Sequence, residues 1–154
     1  MTIFTGGLLQ FIAGMWQFPR GDVFGATVFS IYGAFWMSYS MILLPGTGIL
    51  ASYSDSRELA NAMGIYLITW FVVTIFLSLP TIRRNFAFTI FLSILSVTFL
   101  CLAVGEFTGG ASATRGGGVT GIMTAIVAYY IGISELLAAE PRPIMKLPQG
   151  HWYA

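Results

Sequence analysis

Apolar residues run from Val23 to Leu44 without one charge, and comparable runs follow at Leu59–Leu79, Phe86–Phe107 and Gly118–Ala139. Each is about 20 residues, the length a helix needs to cross about 30 Å of hydrocarbon at about 1.5 Å per residue. Backbone in lipid must satisfy its own hydrogen bonds, so each run reads as a helix. Ahead of them Thr2–Phe18 is apolar but slightly short, with no basic start and no small-residue cleavage signal, so it reads as an incomplete span rather than a signal peptide. The pattern predicts an all-α membrane protein with five transmembrane segments, about 2–18, 23–44, 59–79, 86–107 and 118–139, in one domain over residues 1–140. Pro141, Pro143 and Pro148 give the tail, 141–154, an irregular character.

Within the spans the polar and small residues are ordered. Ala26, Ser30, Ala34 and Ser38 recur every four residues, a strip along which another helix can approach closely. Phe29, Tyr32, Trp36 and Tyr39 fall on a different side and form an aromatic wall with hydroxyl and indole groups. Thr120, Thr124, Ala128 and Gly132 repeat the small-residue device in the last span, beside Gly117, Gly121 and Ala125. One side packed and one side faintly polar suits a helix that lines something.

Composition sharpens the class. The chain is 56% hydrophobic and 8% charged, with a mean hydropathy of +0.82, whereas soluble domains carry about 25% charged residues. A net charge of +1 and the absence of basic runs argue against nucleic acid as a partner. Cys101 stands alone in an apolar segment and offers neither a disulfide framework nor a metal site. There is no Walker-type glycine loop, zinc motif or nucleophile–histidine set, the lone His151 lying in the tail. Neither an enzyme nor a cofactor is expected.

The connecting segments set the orientation. Arg20, Arg83, Arg84, Arg142 and Lys146 fall in alternate loops and the tail, while the other two loops hold only Arg57 and Arg115. The positive-inside rule then puts the C-terminus in the cytoplasm. Five spans would leave the N-terminus outside, so one further helix ahead of Met1 is expected, giving six with both ends inside.

Several side chains invite a functional role. Gln10 is an amide near mid-segment, where amides either bond between helices or meet a polar solute, and a neutral donor suits a carboxylate ligand. Tyr32 lies about ten residues into its span, deeper than an aromatic belt, so lining a path competes with packing for it and for Trp36. Asn61 opens the Leu59 span, as a helix cap or an entrance residue. Glu135 is an acidic residue within the last turns of the final span, with surface and proton-linked roles both open.

The order Gly6-Gly7-x-x-Gln10-x-x-Ala13-Gly14-Met15-Trp16, then Phe24-Gly25-Ala26-Thr27, then Ser30-x-Tyr32-Gly33-Ala34-Phe35-Trp36 resembles the acetate uptake transporter family of fungal acetate transporters and bacterial succinate–acetate permeases. Asn61-Ala62-x-Gly64-x-Tyr66-Leu67-x-x-Trp70, Leu102-Ala103-Val104-Gly105 and Glu135 agree, so the similarity runs from Gly6 to about Pro143. The resemblance implies six helices per protomer, a hexamer, and a solute path through each protomer. It implies a hydrophobic narrow point built from a Phe on the first helix, a Tyr matching Tyr32 and a Leu matching Leu95. The Phe, and the Asn-Pro-Ala-Pro-Leu-Gly-Leu signature of that helix, have no counterpart in this sequence. Ala128 matches a position near the path, and Gln17 stands where the family commonly carries Glu, so a titrating carboxylate is replaced by an amide.

The resemblance therefore implies transport of acetate and similar short monocarboxylates, proton-linked or channel-like, by a homo-oligomer in the plasma membrane. Few charges suit such a solute, because a strong anion site would trap it. Moving acetate with a proton avoids taking a bare charge into low dielectric. The alternative is a non-transporting subunit or regulator that joins full-length hexamers through the small-residue faces.

Overall fold

A computed structural model describes residues 1–150, and the expectation for His151 lies outside those residues. The fold is all-α. The chain divides into two compact units, Met1–Leu59 and Ala60–Ala154. Among the described residues four helices are long and apolar enough to cross a membrane.

In the first unit, π-helical turns over Thr2–Leu9 run into α1 (Gln10–Gln17), and a short turn leads to α2 (Val23–Leu43). Asp22 caps α2, its carboxylate accepting from Gly25 N at 3.2 Å. The helix stops at Leu44, before Pro45, whose ring cannot continue it. The two helices meet at glycines. A Cβ on Gly14 would stand 2.5 Å from Ser30 N, one on Gly33 2.6 Å from Phe11 N, and one on Gly7 2.5 Å from Met37 Cγ. So α1 and α2 run antiparallel with backbones nearly touching, and dispersion rather than water release holds them together in lipid.

The small-residue strip of α2 is used only in part. Ala26 is buried and Ser30 faces Gly14, but Ala34 and Ser38 are exposed, and the contact continues through Gly33 and Met37. Four residues turn a helix about 40° past a full circle, so an i+4 row drifts off any straight neighbour. Steps of four, three and four keep the seam in register.

The second unit holds most of α3 (Ser56–Ser78), then a 3-10 turn Leu79–Arg83, α4 (Phe86–Thr108) and α5 (Ala111–Ala139). Asp55 accepts from Arg57 N at 2.8 Å and so starts α3 ahead of the expected Leu59. Asn61, the sixth residue of α3, is therefore not its cap. Gly109, at φ +64°, ends α4 in the left-handed conformation that glycine adopts without steric cost, and the chain turns straight into α5. α5 begins ahead of the expected Gly118, and within this added stretch Gly117 is a contact: a Cβ on it would lie 2.6 Å from Leu102 Cδ2. Thr114 closes on Gly105 in the same way, and Gly121 meets Thr98, so α4 and α5 form an antiparallel hairpin.

Hydroxyls in these helices are mostly satisfied by their own backbone. Thr69, Thr74, Thr98, Thr120 and Thr124 each donate to a carbonyl one turn earlier, which lets them sit in an apolar medium. Only 17% of the apolar window of α5 is buried, with Ile122, Ile126 and Leu136 each more than 60% exposed. Such a face needs hydrocarbon or another apolar surface around it, which makes this an integral membrane protein.

Candidate functional site

On α2, Tyr32, Trp36 and Ser40 follow one another at intervals of four and form a ridge along one side. Tyr32 is 4% exposed and Ser40 is 9% exposed, while Trp36 is 37% exposed. Phe35 braces the ridge, its ring edge-on to Trp36 at 4.9 Å and stacked on Tyr39 at 5.7 Å. The indole of Trp36 lies over Gly6, where a Cβ would come within 3.2 Å of Cγ.

Ser40 is chemically distinct from the other helix hydroxyls. Its Oγ is the one buried side-chain polar atom without a hydrogen-bond partner among the described residues. A buried unpaired hydroxyl costs about 1–3 kcal/mol, so it sits most favourably where water or a polar solute can reach it. Its sequence signal is slight: it continues the Tyr32–Trp36 row by one more turn.

The first unit brings Gln10 to the level of Tyr32, since its helical neighbours Gly7 and Gly14 pack on Met37 and Ser30. Gln10 is half-buried at the point where the π turns give way to α-helix, a junction type that recurs at functional sites. Gln17 stands at the α1–α2 turn, its Cγ 3.6 Å from a Cβ built on Gly25. That is roughly 16 Å along α2 from Trp36, at 1.5 Å per residue, so Gln17 does not join the ridge.

Leu95, Ala128, Glu135 and Asn61 belong to the second unit. Leu95 is half-buried on α4 between Leu92 and Phe99, both buried, and Ala128 and Asn61 are exposed. Glu106 also lies inside a span, in the last turn of α4 and half-buried, an ionisable residue the sequence reading did not single out.

Glu135 faces the tail. Its Oε1 accepts from Gln149 Nε2 at 2.8 Å, and Gln149 Oε1 accepts from Asn85 Nδ2 at 2.6 Å. Asn85 Oδ1 caps α4 by accepting from Phe88 N, while Gly150 O and Gln149 O accept from Phe86 N and Ala87 N. The orphan N–H groups at the start of α4 are thus met by the cap and by the tail. Ser134 Oγ donates to Leu147 O and Tyr130 OH to Pro148 O, pinning the same segment along α5. The tail is irregular in conformation yet closely bonded, and nothing in its proline pattern foretold those partners.

The profile of the GPR1/FUN34/yaaH family matches residues 1–150. "Ammonia transport outward protein 2" of Saccharomyces cerevisiae is 38% identical over 147 residues, covering 95% of this chain and 52% of its own length. "Succinate-acetate/proton symporter SatP" of Escherichia coli K12 is 30% identical over 153 residues, covering 98% of this chain and 79% of its own. The solved structure titled "Structure of the bacterial acetate channel SatP" superposes with a TM-score of 0.82 at 29% identity, covering 95% of this chain and 79% of that one. The chain spans about half the length of the first yeast relatives it matches. The names of the yeast outward protein, the symporter and the channel reported above are all transport names.

Proposed function

The chain belongs to the GPR1/FUN34/yaaH family, and from that premise we propose that it forms a transmembrane path for acetate and similar short monocarboxylates, proton-linked or channel-like. The observation that carries the reading is the α2 ridge, where a buried tyrosine, an indole and an unpaired buried hydroxyl succeed one another across the span. Neutral donors of this kind hold a carboxylate weakly enough to release it, and the aromatic faces select a small, partly apolar acid. Gln10 supplies an amide donor at the depth of Tyr32. By family resemblance alone, Leu95 is assigned an apolar constriction, Ala128 a size limit and Asn61 an entrance role. Gln17 places an amide beside the Asp22 cap at that end of the α1–α2 pair, a position that does not itself titrate, while Glu135 acts through the tail it holds.

The names of relatives divide between acetate and ammonia, and the ridge favours the acid, since its hydroxyl and indole groups are donors to an anion. The same reading places the protein in the plasma membrane with its tail on the cytoplasmic side, where Arg20, Arg83, Arg84, Arg142 and Lys146 collect. Gly118 and Gly132 on α5 have no atom within 4 Å of a built Cβ, leaving a small-residue face on which a second copy can seat in a homo-oligomer such as a hexamer.

The test is uptake of labelled acetate at acid pH by a host lacking its own acetate transport, expressing this chain. Uptake above the empty host, reduced at least tenfold by Tyr32→Ala with the protein still in the membrane, supports the reading. Uptake no greater than in the empty host overturns it in favour of a non-transporting subunit.

A further inference from the structure

Serine hydroxyls elsewhere in the helices are spent on their own backbone. Ser38 donates to Phe35 O at 2.9 Å, Ser78 to Ile75 O at 2.7 Å and Ser96 to Ser93 O at 2.8 Å. Ser40, 9% exposed, keeps its Oγ out of any such bond. A hydroxyl has one O–H to donate and lone pairs to accept with, so the partner that satisfies it fully brings both an acceptor and a donor.

Charge narrows the partner further. Neither Met1–Pro19 nor the stretch from Gly21 to Ser56 contains a Lys, Arg or His side chain. Ser40 also opens the last turn of α2, Ser40–Leu43, where the aligned peptide dipoles leave a negative end. A bare anion is disfavoured there, whereas a neutral solute meets no such penalty. A carboxylate has acceptors only and an ammonium group donors only, so each leaves half of the hydroxyl unmet. An undissociated acid and a primary amide offer both kinds of group side by side.

We infer that Ser40 is a recognition point for neutral solutes that carry a donor beside an acceptor, and that the α2 path admits small primary amides such as acetamide. The inference rests on the path proposed above and names a second solute class for it. Acetamide has the shape of acetic acid, with an N–H where the acid has its O–H. The acid therefore suits Ser40 with its proton on, and the amide needs none. Tyr32, about 12 Å back along α2 at 1.5 Å per residue, carries another hydroxyl, and Gln10 at its level carries an amide, groups of the same two-way kind. Trp36, between Tyr32 and Ser40 in the row and 37% exposed, gives the methyl group an apolar face.

The experiment reconstitutes this chain in liposomes and follows labelled acetamide and labelled acetate in the same preparation. Acetamide is expected to cross faster than in empty liposomes. Ser40→Ala should slow the protein-dependent part about fivefold, the worth of one neutral hydrogen bond. Excess unlabelled acetamide should suppress that flux. Methanesulfonate, a permanent anion, and methylammonium, a cation with donors only, should not. Flux no faster than in empty liposomes, flux unaffected by Ser40→Ala, or equal suppression by either ion overturns the inference. If Ser40→Ala is not recovered in the membrane, Ser40→Cys, with a weak donor of similar size, provides that arm, about a twofold loss being expected and no loss counting against Ser40. Acetate crossing while acetamide is excluded sinks this inference alone; acetamide crossing while acetate is excluded sinks the acid reading alone.

Discussion

Asn85 and Gln149 share a 2.6 Å hydrogen bond across 64 positions of sequence, and each side chain is 7% exposed. Asn85 uses its amide twice, donating to the tail through Nδ2 and capping α4 through Oδ1. Asn85→Ala therefore removes a cap, which costs about 1 kcal/mol, and strands the buried Gln149 amide, which costs about 1–3 kcal/mol more. Thermal unfolding in detergent should show a lower midpoint for Asn85→Ala than for Gln149→Ala, which keeps the cap. Equal midpoints would show that the cap carries none of the effect.

Glycine contacts between α1 and α2 predict an asymmetric response to alanine. At Gly14 and Gly33 the new methyl meets backbone atoms at 2.5–2.6 Å, which only separation of the helices can relieve. Overpacking of this kind costs about 1–3 kcal/mol. Gly116→Ala, in open space on α5 and off the Gly118–Gly132 face, should instead be neutral or stabilising by about 0.5–1 kcal/mol, because alanine is the better helix former. Midpoints of unfolding for the three variants check the order.

Ser40→Ala separates stability from transport. Removing a buried hydroxyl that has no partner leaves the fold as stable or more so. Acetate uptake, however, should fall several-fold if Ser40 lines the path. A variant that loses uptake and stability together would mark Ser40 as structural.

Glu135 touches the tail through one carboxylate oxygen, an acceptor that an amide carbonyl can replace. Glu135→Gln should keep the tail in place and leave the pH profile of uptake unchanged, while Glu135→Ala frees Gln149 and exposes the tail to limited proteolysis. A shifted pH profile for Glu135→Gln would instead assign the carboxylate to proton movement.

The long spans were legible because lipid imposes length and apolarity, and nothing subtler was needed to find α2, α3 and α4. Boundaries were not. α5 starts at Ala111, ahead of the expected Gly118, and the contact of Gly117 with Leu102 lies in that added stretch. Asp55 moved the start of α3 forward and withdrew the capping role from Asn61. On α2 the row of Tyr32 and Trp36 was visible as helical spacing, but Ser40 could not be told from the back-bonding hydroxyls around it without the hydrogen-bond pattern. The tail was least legible. Its bonds to α4 run through the carbonyls of Gln149 and Gly150, groups every residue carries, so no side-chain pattern announces them.

Those carbonyls also impose an order on synthesis. The start of α4 enters the membrane while the residues that satisfy Phe86 N and Ala87 N are still untranslated, with 64 positions separating Asn85 from Gln149. Until then the positive end of the helix must borrow water or lipid headgroups. The α4–α5 hairpin is thus finished last to first: its opening turn matures only after its closing helix has crossed the bilayer and the chain has folded back to meet it.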